Sequence, residues 1–228
     1  MTVEPSLSLV IPVLNEAAEI VSALEALGAL RAHGAEVIVV DGGSADDTVA
    51  RAAPLADRVI PNARGRATQM NAGAAVARGG VLLFLHADTR LPPNADTLVL
   101  EGLARSRCVW GRFDVAIEGA HPLLPLIAMF MNARSRLTGI ATGDQTMFMT
   151  RDAFKTVGGF PDIALMEDIE LARRLKRISA PLCLRARVTT SGRRWASRGV
   201  LHTILLMWRL RLAYFFGAKP EELARRYK

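Results

Sequence analysis

The chain is poor in cysteine and aromatic residues, and it has no long uninterrupted apolar run. Its 228 residues contain two cysteines, Cys108 and Cys183, which lie far apart and outside any Cys-x-x-Cys pair. A disulfide framework and a cysteine zinc site are therefore disfavoured. No apolar run approaches the ~18 residues of a membrane span, and the first residues lack the basic and apolar regions of a secretory signal. We therefore expect a cytoplasmic protein.

Common nucleotide-binding and hydrolase motifs are also absent. The sequence contains no G-x-x-x-x-G-K-[ST], no G-x-G-x-x-G, no H-E-x-x-H and no G-x-S-x-G. These motifs mark phosphate loops, dinucleotide folds, zinc proteases and α/β-hydrolases. What remains is a globular chain, half of it hydrophobic and 22% charged. It is long enough for one domain with its own core.

Acidic residues are scarce near the end of the chain. Residues 1–172 contain 14 Lys or Arg and 20 Asp or Glu, whereas residues 173–228 contain 15 and 2. The net charge of +7 is therefore concentrated in the last quarter, which suits an anionic partner such as phosphates or an anionic membrane surface. We expect no nucleic-acid partner, because this quarter is too apolar for a solvated basic face and contains no recognised nucleic-acid motif.

Apolar runs alternate with helical patterns through the first half of the chain. The predicted strands are Ser6–Ile11 (ended by Pro12), Glu36–Val40, Val59–Ile60 and Val81–Leu85, with helices at residues 66–77 and 93–105. Asn15 is predicted to cap the first helix, which carries Ile20, Leu24 and Leu27, and Ser44 or Asp46 the second. This alternation predicts an α/β fold with a doubly wound, mostly parallel sheet flanked by helices.

The second half is less regular. Strands are predicted at Val109–Val115 and Thr146–Met149, and helices at Glu167–Ile178 and Gly199–Gly217. In doubly wound sheets, ligands bind beyond the carboxyl ends of the strands. Polar residues that directly follow the apolar strands are therefore the first candidates for a site.

Asp41 and Asp88 both stand at such strand ends. Asp41 precedes Gly42 and Gly43, which let the backbone turn and approach a ligand closely. Its carboxylate suits hydrogen bonds from a base or ribose, and the alternative is a local turn that caps the next helix. Asp88 suits Mg²⁺ or Mn²⁺ on a nucleotide diphosphate, because one carboxylate, phosphate oxygens and waters complete the coordination shell. His86 points to the same side and is a second candidate, with a structural role as the alternative.

Glu167 and Asp168 open a helix that is apolar on one face. One of them facing a cleft would be a general base, whereas the alternative is simple complementation of the helix dipole. Arg66 and Asn71 suit contacts with a nucleotide or diphosphate, or else belong to a charged helix start.

Two further loops carry polar residues suited to ligand binding. The loop Gly143-Asp144-Gln145 suits an acceptor pocket. In the segment Arg193-Arg194-Trp195, the arginines suit a leaving diphosphate and the Trp suits stacking on a ring. The alternative for this segment is surface charge with one anchoring Trp.

Taken together and in order, these residues resemble family 2 glycosyltransferases of the GT-A fold, in particular a small single-domain bacterial subgroup. Segment 9–16 (LVIPVLNE) resembles the opening strand and nucleotide loop, and segment 40–48 resembles the second strand with its base-binding acid. The pair Glu167-Asp168 matches the E-D motif. Two departures from the family pattern are visible. His86 replaces the first acid of D-x-D, so metal binding rests mainly on Asp88 and the diphosphate, and the Gln of Q-x-x-R-W is absent, which argues against a processive synthase.

The resemblance implies an inverting transfer of a sugar from a nucleotide-diphosphate donor, UDP-linked, to an acceptor hydroxyl, assisted by Mn²⁺ or Mg²⁺. It implies Asp168 or Glu167 as the base, Asp88 as the metal ligand, and Gly143, Asp144, Gln145, Arg193, Arg194 and Trp195 at the diphosphate and acceptor. It further implies nucleotide contacts from Pro12, Val13, Asn15, Glu16, Asp41, Gly43, Arg66, Asn71, His86 and Ala87. A sugar nucleotidyltransferase and a non-catalytic nucleotide-sugar-binding protein remain as alternatives.

We expect a glycosyltransferase domain over residues 1–198 and a basic, apolar helical tail over 199–228. Residues 199–217 combine Leu, Ile, Trp and Phe with Arg209 and Arg211, a pattern that suits the interface of a membrane. A peripheral position on the inner face of the cell membrane would fit a lipid-linked acceptor. Packing of this helix on the core, or a homodimer contact, is left open as the alternative.

Overall fold

The computed structural model of the chain describes residues 6–227, apart from the side chains of Arg194, Ser197 and Arg198. The strands within this range are β1 (Leu7–Val13), β2 (Glu36–Asp41), β3 (Arg58–Pro61), β4 (Val81–Phe84), β5 (Thr89–Arg90), β6 (Trp110–Glu118), β7 (Met147–Thr150) and β8 (Leu182–Ser191). The helices are α1 (Ile20–Glu25), α2 (Gly28–Ala32), α3 (Thr48–Ala52), α4 (Arg66–Val76), α5 (Ala95–Arg105), α6 (Leu124–Thr138), α7 (Arg151–Thr156), α8 (Glu167–Lys176), α9 (Arg193–Arg198), α10 (Val200–Phe215) and α11 (Pro220–Tyr227).

The strands form one mixed sheet in the order β3-β2-β1-β4-β7-β6-β8-β5. The pairs β1–β2, β1–β4, β2–β3 and β6–β8 are parallel, whereas β4–β7, β6–β7 and β5–β8 are antiparallel. The predicted mostly parallel, mixed sheet is thus confirmed. Because β1, β2 and β4 are parallel neighbours, their carboxyl ends meet at one edge of the sheet.

Successive residues of the central strands face two separate apolar layers. Leu9, Ile11 and Val39 pack with α1, α2 and α5, whereas Val10 and Val40 pack with α4 and α8 on the other face. This alternation follows from the two-residue period of a strand. Burial on both faces explains why these strands are apolar throughout.

Strand β1 continues through Pro12, contrary to the prediction that Pro12 ends it. Pro12 is paired in register with Val40 of β2. On the other side, the pairing of β1 with β4 stops at Val10 and Phe84, and the carbonyl of Val10 accepts from Leu85 beyond it. The nitrogen of Pro12 points to this same side, where no strand continues, so its missing N–H breaks no ladder bond.

The second half contains elements that the sequence did not predict. Strand β8 is ten residues long and pairs with β6 over most of its length, with a bulge between Phe113 and Asp114. Helix α6 lies between the two predicted strands of the second half, where no helix was predicted. It packs on β6, and β8 extends the sheet beyond β6.

The C-terminal helices pack on the body of the protein through a small third cluster. Leu210 of α10 and Leu223 of α11 are buried against Met166, which precedes α8. The opposite side of α10 exposes a line of apolar side chains, here called the α10 stripe (Leu201, Leu205, Trp208, Leu212 and Phe215). Among the described residues, no helix combines the length and the apolar character that crossing a bilayer requires. The division of the chain at residue 199 stays a prediction.

Candidate active site

Two loops that follow β1 and β2 are tied together by backbone-to-side-chain hydrogen bonds. The N–H of Asn15 donates to Ser44 Oγ at 2.9 Å, and Asn15 Oδ1 accepts from the N–H of Ala45 at 2.8 Å. The N–H of Glu16 donates to Thr48 Oγ1 at 2.8 Å. Asn15 has a φ of 54° and bridges the loops, so its predicted role as a helix cap is wrong. These bonds fix the two loops relative to each other at the carboxyl ends of β1 and β2.

The carboxylate of Asp41 organises the second loop. It accepts from the N–H of Gly43 at 3.1 Å and from the N–H and hydroxyl of Ser44, the latter at 2.5 Å. Gly43 has a φ of 88°, in the left-handed region that favours glycine. Asp41 is nearly buried. This is the local turn that the sequence left as the alternative, and it holds Asp41 at the edge where β1 and β2 end.

Gln69 of α4 links the ends of β1 and β2 through its side chain. This contact was not predicted from the sequence. Its amide nitrogen donates to the carbonyls of Val13 at 2.9 Å and Val40 at 2.8 Å. Gln69 is almost fully buried, and a Cβ added at Gly42 would lie 3.0 Å from its side chain. The glutamine therefore supports Pro12, Val13 and the Gly42 turn without reaching the surface.

Asp88 lies in a cavity at the end of β4, called here the Asp88 cavity (Glu19, Ala87, Asp88, Arg90 and Arg193). One oxygen of its carboxylate accepts a long 3.3 Å hydrogen bond from the hydroxyl of Thr89. Burial raises the pKa of the neighbouring Glu16; Arg193 lowers it, and the charge of Asp88 raises it further. Glu16 and Asp88 thus share one electrostatic environment, although their chain positions are far apart.

The segment at residues 193–195 forms the start of helix α9 instead of a loop. Arg193 contacts Glu19 at 3.2 Å and Glu16 at 3.9 Å, which places it over the Asp88 cavity. Trp195 is half-buried against the larger core layer. The side chain of Arg194 lies outside the described residues.

A second cavity holds the two predicted catalytic acids and is called here the Asp168 cavity. Its lining includes Arg66, His86, Gly143, Glu167 and Asp168. Asp168 Oδ2 accepts from the N–H of Gly143 at 2.8 Å, and Oδ1 accepts from the N–H of Ile169 at 2.7 Å. These two bonds fix the direction of the half-buried carboxylate.

Glu167 is more deeply buried than Asp168. Burial and, to a smaller extent, the charge of Asp168 raise its pKa to about 7, and Arg66 opposes the rise. Arg66 Nη1 lies 3.7 Å from Glu167 Oε1. The two adjacent acids therefore have different environments, which is the arrangement expected where acids are given different roles.

His86 and the loop at residues 143–145 meet across the Asp168 cavity. His86 Nδ1 lies 3.7 Å from Asp144 Oδ1, and a Cβ added at Gly143 would lie 2.7 Å from His86 Cε1. Gln145 turns away from the cavity, because its amide nitrogen bonds Ser135 Oγ at 2.9 Å. The direction of the Gln145 side chain does not support a contact with the diphosphate or acceptor, so that contact stays a prediction.

Asn71 also turns away from the cavity. Both ends of its amide bond the backbone of Phe160, at 2.8 Å and 2.9 Å. The structure therefore brings Arg66 to the cavity and uses Asn71 to hold the loop after α7. The predicted nucleotide contact of Asn71 stays a prediction without geometric support.

The fold and the ordered acids at the strand ends define a GT-A glycosyltransferase fold. TarS residues 1–349 from S. aureus, in complex with UDP-GlcNAc, is similar with a TM-score of 0.65 and 17% identity over 82% of this chain and 58% of that one. A mannosyltransferase from Pyrobaculum calidifontis, in complex with GDP-Man and Mn²⁺, has a TM-score of 0.63 and 21% identity over 99% of this chain and 70% of that one. At these identities the likeness shows the fold alone.

The chain belongs to glycosyl transferase family 2, whose model matches residues 8–158. A relative from Mycobacterium bovis (strain BCG / Pasteur 1173P2), the "PGL/p-HBAD biosynthesis glycosyltransferase", is 40% identical over 101 residues. That match covers 41% of this chain and 39% of the relative. The family predicted from the ordered motifs is thereby confirmed.

Proposed function

We propose that the protein is an inverting glycosyltransferase that moves a sugar from a nucleotide-diphosphate donor, UDP-linked, to an acceptor hydroxyl. The observation that carries this proposal is the oriented carboxylate of Asp168, held by two backbone N–H groups in a cavity next to the carboxyl end of β4. Family membership supports the transfer of a sugar. The neighbouring structures with UDP-GlcNAc and GDP-Man support a nucleotide-sugar donor.

On the donor side, the tied loops after β1 and β2 would hold the nucleoside. Asp41 and Glu16 would accept hydrogen bonds from base and ribose, with Pro12, Val13, Asn15 and Gly43 shaping the edge. Asp41 already bonds Gly43 and Ser44, and each carboxylate oxygen can accept more than one hydrogen bond. His86 and Ala87 would lie near the diphosphate, with Arg193 and Arg194 stabilising its charge.

The residues around Asp88 fit a divalent ion that arrives with the donor. Among residues 6–227 no group of three or more His, Cys, Asp and Glu side chains is placed to hold a metal. Mg²⁺ is bound mainly through one or two carboxylates plus substrate phosphates and waters, and Asp88 supplies one such carboxylate. Bound there, Mn²⁺ or Mg²⁺ would neutralise charge on the leaving diphosphate.

On the acceptor side, Asp168 would take the proton from the acceptor hydroxyl as its oxygen attacks the anomeric carbon. In an inverting displacement, the attack comes from the face opposite the leaving diphosphate. Glu167 would stay close to half-protonated at neutral pH because of its raised pKa, and it is less accessible than Asp168. Gly143 and Asp144 would border the acceptor.

The test is a calorimetric titration with UDP and a panel of nucleotide sugars, with and without Mn²⁺. Metal-dependent binding is expected in the wild type and in Asp47→Ala, which removes an exposed carboxylate of the second loop, but not in Asp88→Ala. Binding to no nucleotide would remove the transferase proposal, and metal-independent binding would remove the role of the ion.

Product analysis separates the remaining alternatives. Release of UDP from a UDP-sugar supports transfer. Release of pyrophosphate from a nucleoside triphosphate and a sugar phosphate would indicate a nucleotidyltransferase. Donor binding without any product, over a broad panel of acceptors, would indicate a binding protein.

We also propose a peripheral contact of α10 with an anionic bilayer on the inner face of the cell membrane. The α10 stripe is exposed, with Trp208 at 74% and Phe215 at 81% of their full surface. Helix α6 adds exposed Met129 and Phe130, and the last quarter of the chain is strongly basic. Apolar side chains beside basic ones suit an anionic lipid surface, and such a location would give access to a lipid-linked acceptor.

A further inference from the structure

Two arginines from different helices have buried nitrogens without a hydrogen-bond partner, and the charge of Asp168 acts on both. Arg134 belongs to α6 and Arg211 to α10. Nε and Nη2 of Arg134, and Nε of Arg211, are buried without a hydrogen-bond partner. Among the described residues neither guanidinium forms an ion pair, although Asp168 and Asp144 act on both charges from a longer distance.

The two cations also repel each other in a partly desolvated place. Burial and, to a smaller extent, the charge of Arg211 lower the pKa of Arg134 to about 10. Burial likewise lowers the pKa of Arg211. Guanidinium groups stay charged in proteins, so the chain carries two under-solvated positive charges that act on each other. Such an arrangement is unfavourable unless an anion pairs with it.

We propose that Arg134 and Arg211 form a subsite for a phosphate group on the acceptor. The proposal rests on the proposed function, which places the acceptor hydroxyl at Asp168. Guanidinium groups match phosphate oxygens through two parallel hydrogen bonds, and three buried N–H-bearing nitrogens are available here. The acceptor would therefore be a phosphorylated molecule whose hydroxyl reaches Asp168 while its phosphate lies between α6 and α10.

The donor diphosphate is the other source of the same chemistry. It is assigned to the Asp88 cavity, whose arginines are Arg90 and Arg193. In an inverting transfer the base and the leaving diphosphate lie on opposite faces of the sugar. Cations that act on Asp168 therefore belong to the acceptor side. The proximity of Arg134 and Arg211 was not predictable from the sequence, because the two arginines are 77 positions apart and each lies in an apolar helix.

The probe is inorganic phosphate, titrated calorimetrically in EDTA against the wild type, Arg134→Met and Arg211→Met. The control is Arg209→Gln, which removes an exposed arginine from the same helix α10. Loss of a charge-assisted contact is expected to weaken binding by roughly tenfold to a hundredfold in either Met variant, with no change in the control. Phosphate binding that survives both Met substitutions would overturn the subsite.

Repeating the titration with saturating UDP and Mn²⁺ separates the two sources. An acceptor subsite stays open, so phosphate binds beside UDP and both Met variants keep wild-type UDP affinity. Displacement of phosphate by UDP, or loss of UDP binding in the Met variants, would show that the two arginines bind the donor diphosphate. Either result would overturn the acceptor assignment. If the wild type binds no UDP, the proposed function fails. The phosphate titration in EDTA still shows whether Arg134 and Arg211 bind phosphate.

Thermal unfolding gives a second readout whose sign differs between the two roles. Removing an unpaired buried charge is expected to raise the Tm of Arg134→Met by a few degrees while phosphate binding is lost. A lower Tm with unchanged phosphate binding would mean that Arg134 only supports the fold. Arg134→Lys keeps the charge and the stem but not the planar fork, so weakened phosphate binding in a folded protein is expected there as well.

Discussion

The backbone N–H of Gly143 donates a 2.8 Å hydrogen bond to the carboxylate of Asp168. The bond joins the turn before β7 to the first turn of α8, and the second carboxylate oxygen is held by Ile169. Gly143 also packs against His86, at a distance that leaves no room for a Cβ. Residues from three parts of the chain thus meet around the carboxylate of Asp168.

Asp168→Asn is expected to keep nucleotide binding and to lose sugar transfer. The amide oxygen can still accept from Gly143 while the bond from Ile169 is lost, so the contact with the loop is kept, but an amide cannot take a proton. Loss of a general base lowers kcat by roughly a hundredfold to ten-thousandfold. Initial-rate measurements with the matched surface variant Asp162→Asn provide the control. Full turnover in Asp168→Asn would show that another group is the base, and Glu167→Gln would be examined next.

Gly143→Ala is expected to lower kcat while leaving nucleotide affinity close to that of the wild type. The added Cβ would lie 2.7 Å from His86 Cε1, so the loop or the histidine has to shift. A displacement of about 1 Å near reacting groups costs roughly a hundredfold in rate. Gly28→Ala is the control, since nothing lies within 4 Å of its added Cβ. Equal rates for the two alanine variants would contradict the close fit.

Glu167→Gln is expected to make the protein more stable at pH 8 and to change its pH dependence. The pKa of Glu167 is raised from 4.5 to about 7 in the folded state, so the folded protein binds the proton more tightly than the unfolded chain. The stability from this group is fully present below pH 4.5 and is lost as pH rises through about 7. Urea unfolding from pH 4 to 8 should show this fall in the wild type only.

The size of the effect at pH 8 is expected to be on the order of 3 kcal/mol, since the pKa rises from 4.5 to about 7 and one pKa unit corresponds to about 1.4 kcal/mol. Glu170→Gln, on the next turn of the same helix, controls for the general loss of an acid. If the free energy of unfolding of the wild type is constant from pH 5 to 8, ionisation of Glu167 does not destabilise the folded protein, and the prediction is wrong.

The edge formed by β1, β2 and β4 was predictable because parallel strands covered on both faces are apolar along their whole length. Asp41 and Asp88 could be found at that edge because each directly follows such a strand. Strand β8 was missed, since it places Arg185 and Arg187 within a half-exposed strand whose pattern matches neither a buried strand nor a helix. Local pattern therefore identified the elements that are wholly buried.

Contacts between distant residues were not predictable in the same way. Asn15 has the residue type of a helix cap, yet its side chain bonds Ala45 in another loop. Gln69 lies in an ordinary helical pattern, and only the tertiary structure places its amide between two strand ends. Such side chains act through partners that a single sequence does not specify.

Gln69→Leu is expected to lower the free energy of unfolding by roughly 1–3 kcal/mol and to weaken nucleotide binding. The substitution keeps the apolar stem but removes the side-chain donor to the carbonyls of Val13 and Val40, while the Val13 carbonyl still accepts from the N–H of Gly42. Loss of such a buried donor is costly. Urea denaturation and UDP titration measure the two effects. Ala75→Ser, at an exposed position of the same helix α4, is the control. Unchanged UDP affinity in a destabilised Gln69→Leu would show that the strand ends do not shape the nucleotide site.

The triple variant Leu205→Gln, Trp208→Gln and Leu212→Gln is expected to lose binding to vesicles of phosphatidylglycerol while keeping nucleotide affinity. Each exposed apolar side chain contributes about 1.5–3 kcal/mol when it is fully buried, so even partial insertion of three predicts at least a hundredfold loss in co-sedimentation. Arg209→Gln, which removes one basic group, should lose only about 1 kcal/mol. Vesicle binding equal to that of the wild type would contradict the membrane contact. If the same variant instead converts a dimer to a monomer in gel filtration, the α10 stripe is the surface on which two copies of this chain meet.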